Sequence, residues 1–267
     1  MISLVQLLRE AQGSPKAVIL AGAPGAGKGY TLRGLDLGGL KIMNIDDIFV
    51  EKLKQANITL DLKNATPEER SEQAKQMAAA NKQFKGEMEQ IIAGKESFIL
   101  DGTAASYNTT AKLKNELDEA GYDVFMLYVY TDLERSLSQN QDRYIKSGGK
   151  DRSLAPAIVM RTWKSVTDNL PKYEELFGNN FVAVANTLDD RMQDIDKIIQ
   201  KYLKPFTPQG TKPKTPAQQK KSDERKAKDK EEIQAMLNDD FIYDVIEYTM
   251  SKEEAQMRLK QFLSKWV

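Results

Sequence analysis

The 267-residue chain carries 39 basic and 39 acidic side chains, so no global field draws it to nucleic acid or to a membrane surface. It has neither cysteine nor histidine. That excludes disulfides, thiolate nucleophiles and cysteine metal sites, and leaves a carboxylate, a lysine or a tyrosine as any general base.

In chain order, residues 1–14 open with "MISLVQLLREAQG", an apolar run that is short and broken by Glu10. It predicts an amphipathic helix and not a secretory signal. No run approaches the roughly 20 apolar residues that cross a bilayer, so the expectation is a soluble, cytoplasmic protein without membrane contacts. "KAVILAG" (16–22) reads as a strand and runs directly into "AGAPGAGKGYT" (21–31). This stretch fits G-x-x-x-x-G-K, a loop whose backbone amides converge on phosphate oxygens while its lysine reaches the β- and γ-phosphates. The candidate nucleotide-binding residues are therefore Gly22, Ala23, Pro24, Gly25, Ala26, Gly27, Lys28, Gly29, Tyr30 and Thr31. Gly29 stands where a Ser or Thr hydroxyl commonly helps to hold Mg²⁺, and Thr31, two places on, is the candidate substitute.

"LKIMNID" (40–46) reads as the second strand and brings Asp46 and Asp47 to the sheet edge where α/β ligands bind. Asp46 is the favoured contact for a substrate hydroxyl; one of the pair could instead cap the helix "DIFVEKLKQ". Thr66-Pro67-Glu68-Glu69 supplies an N-cap, a first-turn proline and a capping-box glutamate for a long helix. Its apolar positions are Ala74, Met77, Phe84, Met88 and Ile91. "SFILDGT" (97–103) is a third strand ending in Asp101, suited to orient Mg²⁺ beside the loop. A fourth strand, "YDVFMLYVY" (122–130), leads to a basic segment with Arg143, Lys146, Lys150, Arg152 and Arg161 around Ser147-Gly148-Gly149. Residues 143–155 are expected to act as a lid, with Arg152 and then Arg143 neutralising a moving phosphoryl group. Trp163, Tyr173 and Phe177 read as core, and "NFVAVAN" (180–186) as the fifth strand.

Continuous apolar runs alternating with helical segments predict a doubly wound parallel α/β domain over 1–203. Residues 204–230, rich in lysine and proline, are expected to be a flexible linker. Residues 231–267 return to helical patterning, with a Ser251/Glu254 capping box and a face of Leu259, Phe262, Leu263 and Trp266. So small a unit has to pack on the domain or dock a protein partner.

The loop "GAPGAGKG" and the strand "FILDG" resemble adenylate kinases, which also carry glycine after the lysine. After "LDG", however, this chain reads Thr103-Ala104-Ala105-Ser106 in place of that family's Phe-Pro-Arg. "DGT", "NIDD" and "RYIKSGGKDRSLAPAIVMRTW" instead resemble zeta-toxin-like P-loop kinases of bacteria and large phages, over about residues 16–203. The resemblance implies an ATP- and Mg²⁺-dependent kinase in the cytoplasm, or in a host's cytoplasm if phage-encoded. Lys28 would hold phosphates, Asp101 the metal, and Asp46, Asp47 and Thr103 the substrate. An arginine that often follows the family's Gly-Thr by two positions is Ala105 here. The acceptor read this way is a small molecule such as a nucleotide or nucleotide sugar. A polynucleotide 5′-kinase, with nucleic acid as partner, and a nucleotide-binding interaction protein with little turnover are the alternatives.

Overall fold

The strand β1 (Lys16–Ala21) is buried at every position, because helices cover both faces of the sheet it centres. In the computed structural model, residues 14–33, 40–149, 151–152, 154–186, 215–237 and 249–264 are described, 262–264 as backbone only. β1 pairs in parallel with β3 (Phe98–Asp101) on one side and β4 (Asp123–Tyr130) on the other. β2 (Lys41–Met43) pairs with β3; β5 (Phe181–Ala185) and β6 (Thr249–Met250) follow β4 outward. The six strands lie in the order β2-β3-β1-β4-β5-β6, all parallel.

Side chains alternate along β1 between two cores. Ala17, Ile19 and Ala21 face one side with Phe98, Met126, Tyr128 and Trp163. Val18 and Leu20 face the other with Ile99, Leu127, Val182 and Leu259. Both faces being apolar is why the strand sequences are continuous hydrophobic runs instead of alternating ones. The expected runs overshoot the strands by one to three residues, since their polar ends already belong to loops and caps.

The helices, in chain order, are α1 (Lys28–Leu32), α2 (Ile45–Gln55), α3 (Pro67–Gly94) and α4 (Tyr107–Glu119). Then come α5 (Leu133–Lys146), α6 (Pro156–Asp168), α7 (Leu170–Phe177), α8 (Pro216–Met236) and α9 (Lys252–Ser264). The capping box of α3 forms as its sequence predicts: Thr66 accepts from the Glu69 amide and Glu69 accepts from the Thr66 amide. Met88 and Ile91 are buried as expected, but in its first half the helix buries Gln73 and Ala80, leaving Ala74 exposed. Trp163, Tyr173 and Phe177 are core residues.

The expected linker needs correcting. From Pro216 onward it is helix α8, started by a Thr215/Gln218 capping box with proline at its first position. Ile233 and Met236 anchor it in the core, and Glu232 pairs with Lys164 of α6 at 2.8 Å. Ion pairs one turn apart, Arg225–Asp229 and Lys228–Glu232, support a sequence that has almost no apolar face. The C-terminal segment packs on the domain through Ala255 and Leu259 of α9, both fully buried. The opening helix over 1–14, Lys150, residues 204–214 and Trp266 fall outside the described residues, apart from Ser14.

Candidate active site

β1 ends at Ala21, and the chain turns through Gly22–Gly27 into α1. Gly25 and Gly27 have φ of 77° and 87°, a region where a Cβ is strained. Space is short as well. A Cβ on Gly25 would lie 2.9 Å from both the Gln139 Cβ and the Ser136 carbonyl oxygen, and one on Gly27 would lie 2.3 Å from the Asn186 amide nitrogen. The loop is held from outside by residues far away in sequence. The Ser136 hydroxyl donates to the Pro24 carbonyl at 2.6 Å, and the Asn186 side chain donates to the Ala26 carbonyl at 2.7 Å. The N–H groups of the first turn of α1 have no intrahelical acceptor, and no side chain caps them. A loop so fixed, with free amides, fits a phosphate chain.

Lys28 starts α1, and its ammonium donates to the Gly22 carbonyl at 3.1 Å. Burial lowers its pKa, opposed by the negative charges of Asp101 and Asp46, while Arg143 and Arg152 push it further down. Asp101 stands beside Leu20 in the parallel register, at the end of β3. Burial raises its pKa, with Lys28 opposing and Asp46 and Asp47 adding to the rise. A poorly solvated ammonium facing a poorly solvated carboxyl suits the entry of a phosphate with a hydrated cation, so the residues present fit ATP and Mg²⁺. Among the described residues no three acidic side chains cluster as a self-sufficient metal cage, so Asp101 would share such an ion with phosphate and water.

Asp46 and Asp47 lie in the first turn of α2 and not at the end of β2 as the sequence suggests. Neither caps that helix. The cap is Asn44, whose side chain accepts from the Asp46 amide at 2.8 Å and donates to Asp101 at 3.1 Å. Asn44 thus ties the first turn of α2 to the end of β3. The Asp46 carboxylate pairs with Arg152, whose side chain is only 16% exposed. Arg143, in the last turn of α5, pairs with Asp151, and the Asn140 side chain donates to the Leu154 carbonyl at 3.0 Å. The segment after α5 is therefore folded back over the cleft. Gly148 and Gly149, with φ of 61° and 78°, make the turn.

On the opposite wall, the Thr103 carbonyl accepts from the Gly22 amide at 3.2 Å. Ala104, at φ 52°, is held by the Tyr173 hydroxyl donating to its carbonyl at 2.6 Å, and the Ala105 carbonyl accepts from Asn169 at 3.1 Å. Lys28, Asp46, Asp47, Asp101, Thr103, Arg143 and Arg152 all line one cleft of about 540 Å³.

Two expectations are not met. Thr31 is buried, with its hydroxyl on the Gly27 carbonyl at 3.3 Å, and does not line the cleft, so it is not placed to touch an ion there. Tyr30 takes the exposed position, 54% accessible at the mouth of the cleft. Arg161 lies outside the cleft as well. It donates to the Ala157 carbonyl one turn back and lines a second cavity of about 760 Å³ with Lys221 and Arg225 of α8. Sequence reasoning missed Asn44, Ser136 and Asn186, polar residues whose partners in the loop or cleft are invisible to local pattern. Asn44 alone had a signal, a capping residue just ahead of a helical run.

A family profile described as zeta toxin matches residues 4–198. No curated protein matches the sequence. Among solved structures, the native AvrRxo1-ORF1:-ORF2 complex aligns with a TM-score of 0.51 at 16% identity, covering 96% of this chain and 82% of that one. The same pair of proteins with ATP aligns with a TM-score of 0.50 at 15% identity, over 96% and 82% of the respective chains. A structure from the PezAT chromosomal toxin-antitoxin system of Streptococcus pneumoniae gives 0.47 at 16% identity, over 84% and 90%. At these identities the two AvrRxo1 alignments describe a shared fold, and they extend it over nearly the whole chain.

Proposed function

Since the chain belongs to the zeta toxin family and is a P-loop phosphotransferase, we propose that it transfers the γ-phosphoryl group of ATP to a hydroxyl or phosphate of a small molecule, a nucleotide or nucleotide sugar. The observation that carries this reading is the convergence of Lys28, Asp101, Asp46, Arg143 and Arg152 on the cleft above the glycine loop. ATP with Mg²⁺, when bound, would supply the phosphoryl group, with ADP as the leaving group, and a cation to offset the phosphate charge. The loop amides and Lys28 would hold the β- and γ-phosphates, and Asp101 would hold the hydrated cation. Asp46 aligns an acceptor hydroxyl and takes its proton, with Asp47 and Thr103 beside it. Arg152 and Arg143 meet charge on the equatorial oxygens, as positioning and electrostatics dominate this reaction class. The Arg152–Asp46 pair has to part for this to happen: the acceptor takes Asp46 and the phosphoryl group takes Arg152.

A second acceptor class, the 5′ end of a nucleic-acid strand, is favoured by the cations of the cavity between α6 and α8, where Arg161, Lys221, Arg225, Lys226 and Lys230 accompany one acid, Asp229. One experiment separates these readings. Labelled ATP is offered with a panel of nucleotides, nucleotide sugars and oligonucleotides, and products are read by mass spectrometry. Asp46→Asn is expected to keep ATP binding and lose transfer by at least about 100-fold. Wild-type protein that binds ATP yet labels nothing in the panel would instead mark a nucleotide-binding interaction protein.

A further inference from the structure

The helix that carries Lys28 is poorly equipped to hold its own shape. α1 has five residues, one of them Gly29, and lacks a side-chain cap. So short a helix does not persist alone, and an interior glycine weakens it further. Its last carbonyls also need donors. One comes from within, as the Arg33 amide donates to the Tyr30 carbonyl at 3.1 Å. Another comes from α9, 225 residues away in sequence. The Gln256 side-chain amide donates to the Thr31 carbonyl at 2.7 Å and reaches the Arg33 carbonyl at 3.4 Å. One turn earlier on α9, the Lys252 ammonium stands 3.9 Å from the centroid of the Tyr30 ring, the exposed ring beside Lys28. Lys252, Ala255, Gln256 and Leu259 share one helical face, with Ala255 and Leu259 buried against the sheet. The anchor is therefore rigid where it meets α1.

We propose that α9 is a working part of the phosphate site, with Gln256 as its positioning residue: by holding the C-terminal carbonyls of α1, it keeps Lys28 and the first-turn amides aimed at a bound phosphate chain. Lys252 reinforces this by pinning Tyr30. The inference rests on the reading that the glycine loop binds a nucleoside triphosphate. It assigns the C-terminal segment a role in nucleotide affinity, separate from the acceptor side of the cleft, which α9 does not line.

The test uses the full chain with Gln256→Met, which keeps length and helix preference but deletes the donors, and Gln256→Glu, which sets a carboxylate against two carbonyls. ATP affinity with Mg²⁺ is measured by calorimetry, and hydrogen exchange of the α1 amides is followed without nucleotide. Loss of these hydrogen bonds is expected to weaken ATP binding roughly fivefold in the Met variant and more in the Glu variant. Exchange at Thr31 and Arg33, whose amides are hydrogen-bonded at this end of α1, should accelerate in the free protein. KM for ATP should rise by more than kcat falls, and KM for the acceptor should stay near wild type. Leu117→Ala, a core truncation on the opposite face of the sheet, serves as the control that lowers Tm without touching α1. Unchanged ATP affinity and unchanged α1 exchange in Gln256→Met would overturn the proposal, as would an equal loss of affinity in Leu117→Ala. If wild-type protein itself takes up no nucleotide, the underlying reading fails, a result distinct from both.

Discussion

At the scale of single residues, the glycines of the loop divide into two kinds. Gly22, Gly25 and Gly27 combine positive φ with neighbours under 3 Å from a would-be Cβ, whereas Gly29 has nothing within 4 Å and needs no positive φ. Gly27→Ala is therefore expected to abolish measurable ATP binding by displacing Asn186 and reshaping the loop. Gly29→Ala should fold normally and gain up to about 1 kcal/mol, from helix propensity. Thermal melts and ATP calorimetry on the two variants check both outcomes. Sequence pattern could find the loop, Asp101 and Asp46 because each follows a strand at a fixed offset. It could not find Ser136, Asn186 or Gln256, because a hydrogen bond across 100 residues or more leaves no local trace. The misreading of Thr31 has the same root: whether a hydroxyl faces the cleft depends on helix register, and here register turns it back onto Gly27.

At the scale of elements, β1 to β5 were legible and α8 was not, although it carries a readable signal. Thr215-Pro216-Ala217-Gln218 repeats the logic of Thr66-Pro67-Glu68-Glu69: cap, proline, and a side chain reaching back from the third helical position. Lysine-rich composition masks it, because most of α8 faces solvent and only its last turns meet the core. If those turns anchor the helix, Ile233→Ala should cost about 2–4 kcal/mol in chemical denaturation, the range for truncating a buried aliphatic side chain. A helix that merely tethered the two regions would tolerate the change within about 0.5 kcal/mol. The start of α2 teaches a related lesson about boundaries. "LKIMNID" looks like one strand, yet Asn44 ends the strand pattern and caps the helix, which moves Asp46 onto a helical turn. β6, two residues long, is set entirely by its pairing with β5 and has no sequence signature.

At the scale of the whole molecule, the core buries several tyrosines whose hydroxyls serve as structural donors. Tyr122 donates to the Ile91 and Glu96 carbonyls, Tyr128 to Val166 and Tyr173 to Ala104. Burial pushes the Tyr122 phenol up to about 12, and raises Tyr128 and Tyr173 as well. An unfolded tyrosine ionises near about pH 10. Between that pH and the folded-state value the unfolded chain releases protons that the folded one retains, so stability is intact below about pH 10 and declines above it. Tm measured from pH 9 to 12 should fall, and Tyr122→Phe should make the fall shallower.

The sheet order has one more consequence, in time rather than in space. The donor to the Thr31 carbonyl lies 225 residues further along the chain, and the edge strand beyond β5 is formed by residues 249 and 250. Contacts this distant close late, because a long stretch of chain has to be ordered first. A ribosome translating this message therefore exposes the glycine loop long before its support exists, and the finished site belongs only to a chain whose synthesis has run past α9.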